Sequence, residues 1–204
     1  MHPGATLFFD CCVQEDCWPE GSWPLVRRSE AANVERMFAL GRRLTIRQGG
    51  IVCQHGPHGT PMFAEAPAHC QDEAWWSARP PRCLPALPIL TAGREGTDDS
   101  PGIDRTAAMY LPSGCAARPD VAVGHARAFA YLTAGVRDAV VFGAGIEHAM
   151  ARAIEALLAR RIRTHVALDA SGAADETVAQ LVVAGWKRRG VDVTTVAMVE
   201  RMLL

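Results

Sequence analysis

Residues 139–158 read AVVFGAGIEHAMARAIEALL and constrain the fold more than any other part of the chain. A short apolar run leads into a glycine turn that ends at Gly145, and apolar residues such as Ile154 and Leu157 then recur at helical spacing. A strand, a glycine turn and a helix form the unit that places unpaired helix-start N–H groups at the carboxyl edge of a parallel sheet. The stretch therefore predicts an α/β fold with its site at that edge. The first helical turn, where many enzymes carry a nucleophile, holds Ala149.

The same alternation of apolar runs and amphipathic stretches continues along the chain. It predicts strands at 6–9, 51–53, 108–111, 136–142, 164–168 and 191–195, and helices at 29–44, 124–134, 147–161, 174–189 and 196–204. Gly49 and Gly50 are interpreted as the stop of the first helix. The pattern indicates one domain over residues 1–204, a three-layer α/β fold with a doubly wound, mostly parallel sheet and helices on both faces. Residues 54–106 hold most of the thirteen prolines and are interpreted as an irregular, site-building excursion.

Composition excludes several classes of function. The formal net charge is −1, which gives no electrostatic case for nucleic acid or for an anionic membrane surface. No apolar run approaches the ~18 residues of a transmembrane helix, and the first residues lack the features of a signal peptide. We therefore expect a cytoplasmic protein whose seven cysteines stay thiols or bind metal.

Four segments, in the correct order, resemble the isochorismatase-like cysteine hydrolases, and most closely the nicotinamidases. They are the opening FFDCCVQEDCWPEGS at 8–22, the motif CQH at 53–55 with PMFAEAPAHC at 61–70, the run GVRDAVVFGAGIEHAM at 135–150, and VALDA at 166–170 with the closing residues 190–199. The resemblance spans nearly the whole chain and implies the isochorismatase-like hydrolase fold.

The resemblance also implies a catalytic triad, whose three positions are substituted in this sequence. The family uses an aspartate base, a lysine and a cysteine nucleophile, with helix-start N–H groups holding the oxyanion. These positions fall on Cys12, because Gln14 fixes the register, near Ala116, and on Ala149. Gly145 and Ala149 would provide the anion-binding amides. We expect a divergent member that has lost this hydrolytic mechanism and binds a small molecule, a metal ion, or both.

An altered catalytic constellation is the alternative function. Asp10 could serve as the base if the register slipped by two residues, and His148 could act as an acid or base, although a histidine at a helix start is more often a polar surface residue. A metal-bound water would be a further candidate. In that case the protein would hydrolyse a small amide or a related compound.

The family's metal positions fall on Cys53, His55 and His69. A thiolate and two imidazoles suit Zn²⁺, whereas cysteines in such a loop can also be small apolar fillers. No nucleotide cofactor is expected. Because the family commonly forms oligomers, we also expect a homo-oligomer, with contacts from residues 75–76, a Trp-Trp pair, and from Met109.

Overall fold

β1 (Thr6–Cys11) lies at the centre of a parallel sheet. The computed structural model describes residues 1–53, 79–85, 89–91, 108–113, 119–120 and 125–204. Within these residues the sheet has seven strands in the order β3-β4-β2-β1-β5-β6-β7, and each neighbouring pair is parallel. The other strands are β2 (Arg47–Cys53), β3 (Ile89–Thr91), β4 (Ala108–Ser113), β5 (Asp138–Ala144), β6 (Arg163–Gly172) and β7 (Asp192–Thr194).

Helices cover both faces of the sheet. They are α1 (Arg28–Leu44), α2 (Ala126–Leu132), α3 (Ala151–Ala159), α4 (Glu176–Arg188) and α5 (Val196–Leu203). α1 and α5 share a buried cluster with Phe8 and Phe142, whereas α2, α3 and α4 pack against Phe9 and Val141 on the other face. The predicted three-layer α/β fold with a parallel sheet is confirmed.

Gly49 and Gly50 lie in β2, so the prediction that they end the first helix is wrong. α1 ends at Leu44, and Thr45 follows it with left-handed backbone angles (φ 50°, ψ 42°). A Cβ atom on Gly50 would lie 1.9 Å from the backbone oxygen of Asp10. The glycine is therefore required by the close approach of β2 to β1 and not by a helix stop.

Met109 is only 3% exposed and packs in the apolar cluster of the α2–α4 face. The expectation that it contributes an exposed oligomer contact is therefore wrong, because its position in β4 directs it into the interior. Residues 75–76 lie outside the described residues. Within the described part of the chain, no helix is both long enough and apolar enough to cross a membrane.

Candidate functional site

The carboxyl ends of β1, β2 and β5 meet where the sequence places the site. Cys11 pairs with Ile51 of β2 and with Gly143 of β5. Gly143 has φ 116°, and a Cβ atom there would lie 2.3 Å from the backbone oxygen of Cys11. Glycine thus allows β5 to turn away beside β1 and to begin the next helix at this edge.

Cys12 leaves β1 with a left-handed backbone (φ 49°) and is 2% exposed. Its Sγ lies 3.0 Å from Sγ of Cys53 at the end of β2. Gln14 fixes the two chain segments together, because its Nε2 donates to the Cys53 carbonyl at 3.0 Å and its Oε1 accepts from the Cys53 amide at 2.8 Å. The residue that sets the sequence register is therefore also the one that holds Cys12 beside Cys53.

Ala149 lies in a π-helical turn, Ile146–Met150, that precedes α3. Gly145 starts this turn with φ 79°, and its carbonyl accepts hydrogen bonds from the amides of His148 and Met150, both at 3.0 Å. Ala149 is 1% exposed and belongs to the same apolar cluster as Cys12. The predicted nucleophile position is thus a buried methyl group at the start of a helix.

His148, next to Ala149, is half-buried, and burial lowers the pKa of its imidazole below the usual 6.5. The neighbouring Glu147 opposes this shift. Cys11 is fully buried, and the loss of hydration raises the pKa of its thiol well above 9.0. Cys11 is therefore a protonated thiol at neutral pH and not a reactive thiolate.

Asp10 belongs to a separate buried cluster on the α1 face of the sheet. Its carboxylate forms an ion pair with Arg79 and accepts a hydrogen bond from the Tyr110 hydroxyl at 2.7 Å. The Arg79 guanidinium lies 4.4 Å from the centre of the Tyr110 ring and 5.4 Å from that of Phe38 in α1. Burial raises the pKa of Asp10 from 3.8 to about 6, although Arg79 and Tyr110 act in the opposite direction.

The position of this cluster bears on the alternative base. The partners of Asp10 lie on the α1 face, whereas Ala149 and Cys12 pack in the cluster of the opposite face. Both carboxylate oxygens of Asp10 already have protein partners. The described structure therefore brings Cys12 and Ala149 into one apolar cluster but does not bring Asp10 into it.

Of the predicted metal ligands, only Cys53 lies within the described residues; His55 and His69 lie outside them, as does Ala116. Cys53 is disulfide-bonded, whereas Cys11, Cys12, Cys17 and Cys83 are thiols. The expectation of thiols thus holds for these four cysteines and not for Cys53. A disulfide sulfur is not a thiolate ligand, so Cys53 fits a zinc site only in its reduced form. In the described part of the chain, no group of three His, Cys, Asp or Glu side chains is placed to hold a metal ion.

A cavity of about 490 Å³ opens beside this edge, between α4, the end of β6 and the segment before α1. Leu25, Ile146 and Leu168 form part of its apolar wall, and Lys187 is among the polar residues that line it. The lining includes neither Cys12 nor Ala149. The cavity therefore lies beside Cys12 and Ala149 and does not include them.

Comparison with solved structures identifies the fold. An isochorismatase family protein from Desulfovibrio vulgaris subsp. vulgaris str. Hildenborough superimposes with a TM-score of 0.71 at 12% identity over 98% of each chain. The nicotinamidase PncA from Bacillus subtilis gives 0.67 at 10% identity, covering 93% of this chain and 99% of that one. The pyrazinamidase of Pyrococcus horikoshii, in complex with zinc, gives 0.65 at 16% identity, covering 94% and 99%.

The chain has the isochorismatase-like fold. The structural neighbours are too distant in sequence to show more than this fold. No protein-family sequence model matches the chain, and no curated protein sequence matches it.

Sequence reasoning did not find the partners of Asp10 or the cavity beside α4. Tyr110 falls in a predicted strand, but nothing in the alternation marks its hydroxyl as a partner of Asp10. Arg79 precedes two prolines in the irregular segment, where periodicity gives no guidance. Nothing in the sequence pattern marks the residues that line the cavity.

Proposed function

We propose that this protein is a divergent isochorismatase/nicotinamidase-like protein that has lost the Asp-Lys-Cys hydrolytic mechanism and binds a small molecule. The observation that carries the proposal is Ala149, a buried methyl group in the first turn of the helix where the resemblance expects the nucleophile. A methyl group can neither form an acyl intermediate nor accept a proton.

Cys12 supports the same conclusion from the position of the base. Its side chain is buried among apolar residues, and its closest described sulfur contact is Cys53 at 3.0 Å. A sulfhydryl group lacks the two carboxylate oxygens with which an aspartate base orients and accepts a proton, so Cys12 is a poor substitute for that base. Loss of one member of a catalytic unit removes most of the rate acceleration, and here two described positions are substituted.

Ligand binding has independent support in the backbone. The His148 amide already donates to the Gly145 carbonyl, but the first turn of a helix in general presents backbone N–H groups that attract anions and carbonyl oxygens whatever side chain follows. The half-buried His148 lies in the same turn. A small planar carboxylate or amide is the chemical class that these groups suit.

The experiment measures ammonia release from nicotinamide and, by ligand-observed NMR, the binding of nicotinate. We expect no hydrolysis above background together with measurable binding. Ala149→Cys alone should stay inactive, because a thiol without a neighbouring base keeps a pKa of about 8.5. The triple variant Cys12→Asp, Ala116→Lys, Ala149→Cys is the matched comparison, since it restores all three roles in the expected register.

Turnover of nicotinamide by the natural sequence contradicts the proposal. Brisk turnover by Ala149→Cys alone contradicts the register and favours the alternative, in which Asp10 is the working base of an altered hydrolase. The raised pKa of Asp10, about 6, is the observation that favours this alternative. Its full engagement with Arg79 and Tyr110 weighs against it.

Metal binding remains a second part of the proposal, through Cys53, His55 and His69. If these residues hold Zn²⁺, the protein purified under reducing conditions should contain zinc, and Cys53→Ser should lower the amount. Cys17→Ser, which alters another buried thiol, is the matched control. Equal zinc content in the natural protein and in both variants would exclude a site at Cys53.

A further inference from the structure

The cavity beside α4 follows one face of that helix from end to end. Its lining residues on α4 recur three or four positions apart: Glu176, Ala179, Gln180, Val183, Ala184 and Lys187. At about 1.5 Å per residue, the first and last of these lie about 16 Å apart along the helix axis. The volume of about 490 Å³ falls in the range typical of sites for small organic ligands. The shape suits an elongated molecule.

Apolar side chains form part of the wall that faces α4, beside the polar residues Arg27, Glu30 and Ser171. Leu25, Ile146 and Leu168 contribute side chains from three separate segments, and Ala179, Val183 and Ala184 oppose them. A ligand that displaces water from these surfaces gains free energy in proportion to the apolar area that it covers. The body of the ligand is therefore expected to be hydrocarbon or aromatic.

The charges at the two ends of the cavity differ in one respect. At the α1 end, Arg27 forms an ion pair with Glu176, and its amide donates to Glu30 at 2.8 Å. Glu30 forms no ion pair with a described residue, so this end of the cavity carries a net negative charge. At the other end, Lys187 forms no ion pair and no side-chain hydrogen bond with any described residue. Among the described lining residues, Lys187 is thus the positive charge without a counter-ion, and it lies at the opposite end of α4 from Glu176, whose partner Arg27 lies near Glu30.

We propose that this cavity is a binding site for an elongated organic carboxylate, with the apolar body between α4 and β6 and the carboxylate at Lys187. The site is separate from the positions of Cys12 and Ala149, because neither residue lines it. The inference therefore stands or falls independently of the function proposed above.

The test compares 4-phenylbutyrate with its uncharged amide, 4-phenylbutyramide, by isothermal titration calorimetry on the full chain. We expect low-millimolar or tighter binding of the acid, and weaker binding of the amide by about threefold to fivefold, the effect of one partly exposed charge contact. Lys187→Gln should remove this preference and Lys187→Arg should keep it. Arg188→Gln, on the next position of α4 and outside the lining, should leave it unchanged.

A second variant tests the location. Ala184→Phe adds a side chain that fills the cavity without altering any charge, and it should abolish binding of both probes while circular dichroism shows an unchanged fold. Equal affinity for acid and amide, or an unaltered preference in Lys187→Gln, overturns the assignment of the carboxylate. Undiminished binding in Ala184→Phe, or no binding of the acid at low-millimolar concentration, overturns the site.

Discussion

Gly50 shows how a single missing side chain determines the pairing of the central strands. A Cβ atom there would lie 1.9 Å from the Asp10 backbone oxygen, and the strand pair cannot move apart without losing its ladder of hydrogen bonds. Gly50 lies between its two strand partners, Asp10 of β1 and Tyr110 of β4, and has no side chain to occupy the space between them. The Tyr110 hydroxyl donates to the Asp10 carboxylate across this glycine.

Replacement of this glycine should be severely destabilising. We expect Gly50→Ala to lower the free energy of unfolding by more than about 3 kcal/mol, the class of effect seen when a packed interior is overfilled. Gly185→Ala is the matched control, because its Cβ would meet only the end of the Arg188 side chain at 3.9 Å. At this half-buried helix position the change should stabilise by about 0.5–1 kcal/mol. The measurement is the urea denaturation midpoint of both variants, and similar midpoints would contradict the predicted requirement for glycine at position 50.

The buried carboxyl of Asp10 should give stability an unusual dependence on pH. Burial raises its pKa in the folded protein to about 6 from an ordinary value of 3.8. Between these values the folded state binds more protons than the unfolded state, so this contribution to stability is present at low pH and is lost as the pH rises through about 6.

Asp10→Asn should remove this contribution, so the stability of the natural protein relative to the variant should fall as the pH rises from about 4 to about 7. The measurement is the urea midpoint of both proteins across that range. Glu20→Gln, at an exposed ion pair with Arg28, should show no such trend. A relative stability that increases with pH would mean that Arg79 dominates over burial and holds the Asp10 pKa low.

At the scale of the elements, Glu147 ties the turn that carries Ala149 to the start of α4. Its Oε1 accepts from the amides of Ala174 and Asp175 at 2.6 and 2.9 Å. Asp175 in turn caps α4, because its carboxylate accepts from the amides of Thr177 and Val178. Through Glu147, the turn that carries Ala149 therefore also positions the start of α4, the helix that lines the cavity.

Removal of this link should loosen the start of α4 first. We expect Glu147→Ala to cost about 1–2 kcal/mol and to accelerate hydrogen exchange at the amides of Ala174 and Asp175. Glu155→Ala breaks only a surface ion pair with Arg152. It should change the free energy of unfolding by no more than about 0.5 kcal/mol and should leave hydrogen exchange at Ala174 and Asp175 nearly unchanged. Unchanged exchange at Ala174 in the first variant would show that Glu147 does not hold this segment.

Elements were more accessible to sequence reasoning than contacts. Apolar runs predicted the position of β1, β5 and β6, because a buried parallel strand must be apolar on both faces. The same reasoning misplaced Gly49 and Gly50, because the sequence does not distinguish a glycine that ends a helix from a glycine that allows a neighbouring strand to approach closely. The pairing of Asp10 with Arg79 and Tyr110 joins residues far apart in the chain, and no local periodicity reports such a contact.

At the scale of the whole molecule, assembly remains a prediction from the resemblance. Met109 is buried and cannot contribute, whereas Leu181 on α4 is 69% exposed and Val178, one turn earlier, is 43% exposed. Two adjacent apolar side chains on one helix face are candidates for a contact with a second copy of the chain. They lie on the solvent side of the helix whose other face lines the cavity.

Sedimentation velocity at micromolar concentration should therefore show a species larger than the 22.0-kDa chain. Leu181→Arg should shift the distribution towards the single chain, because burying an unpaired guanidinium in an apolar contact is strongly unfavourable. Met198→Arg is the matched control, since Met198 is 46% exposed on α5, away from this face. A single 22.0-kDa species would contradict the predicted homo-oligomer, and equal effects of both variants would exclude α4 as the contact.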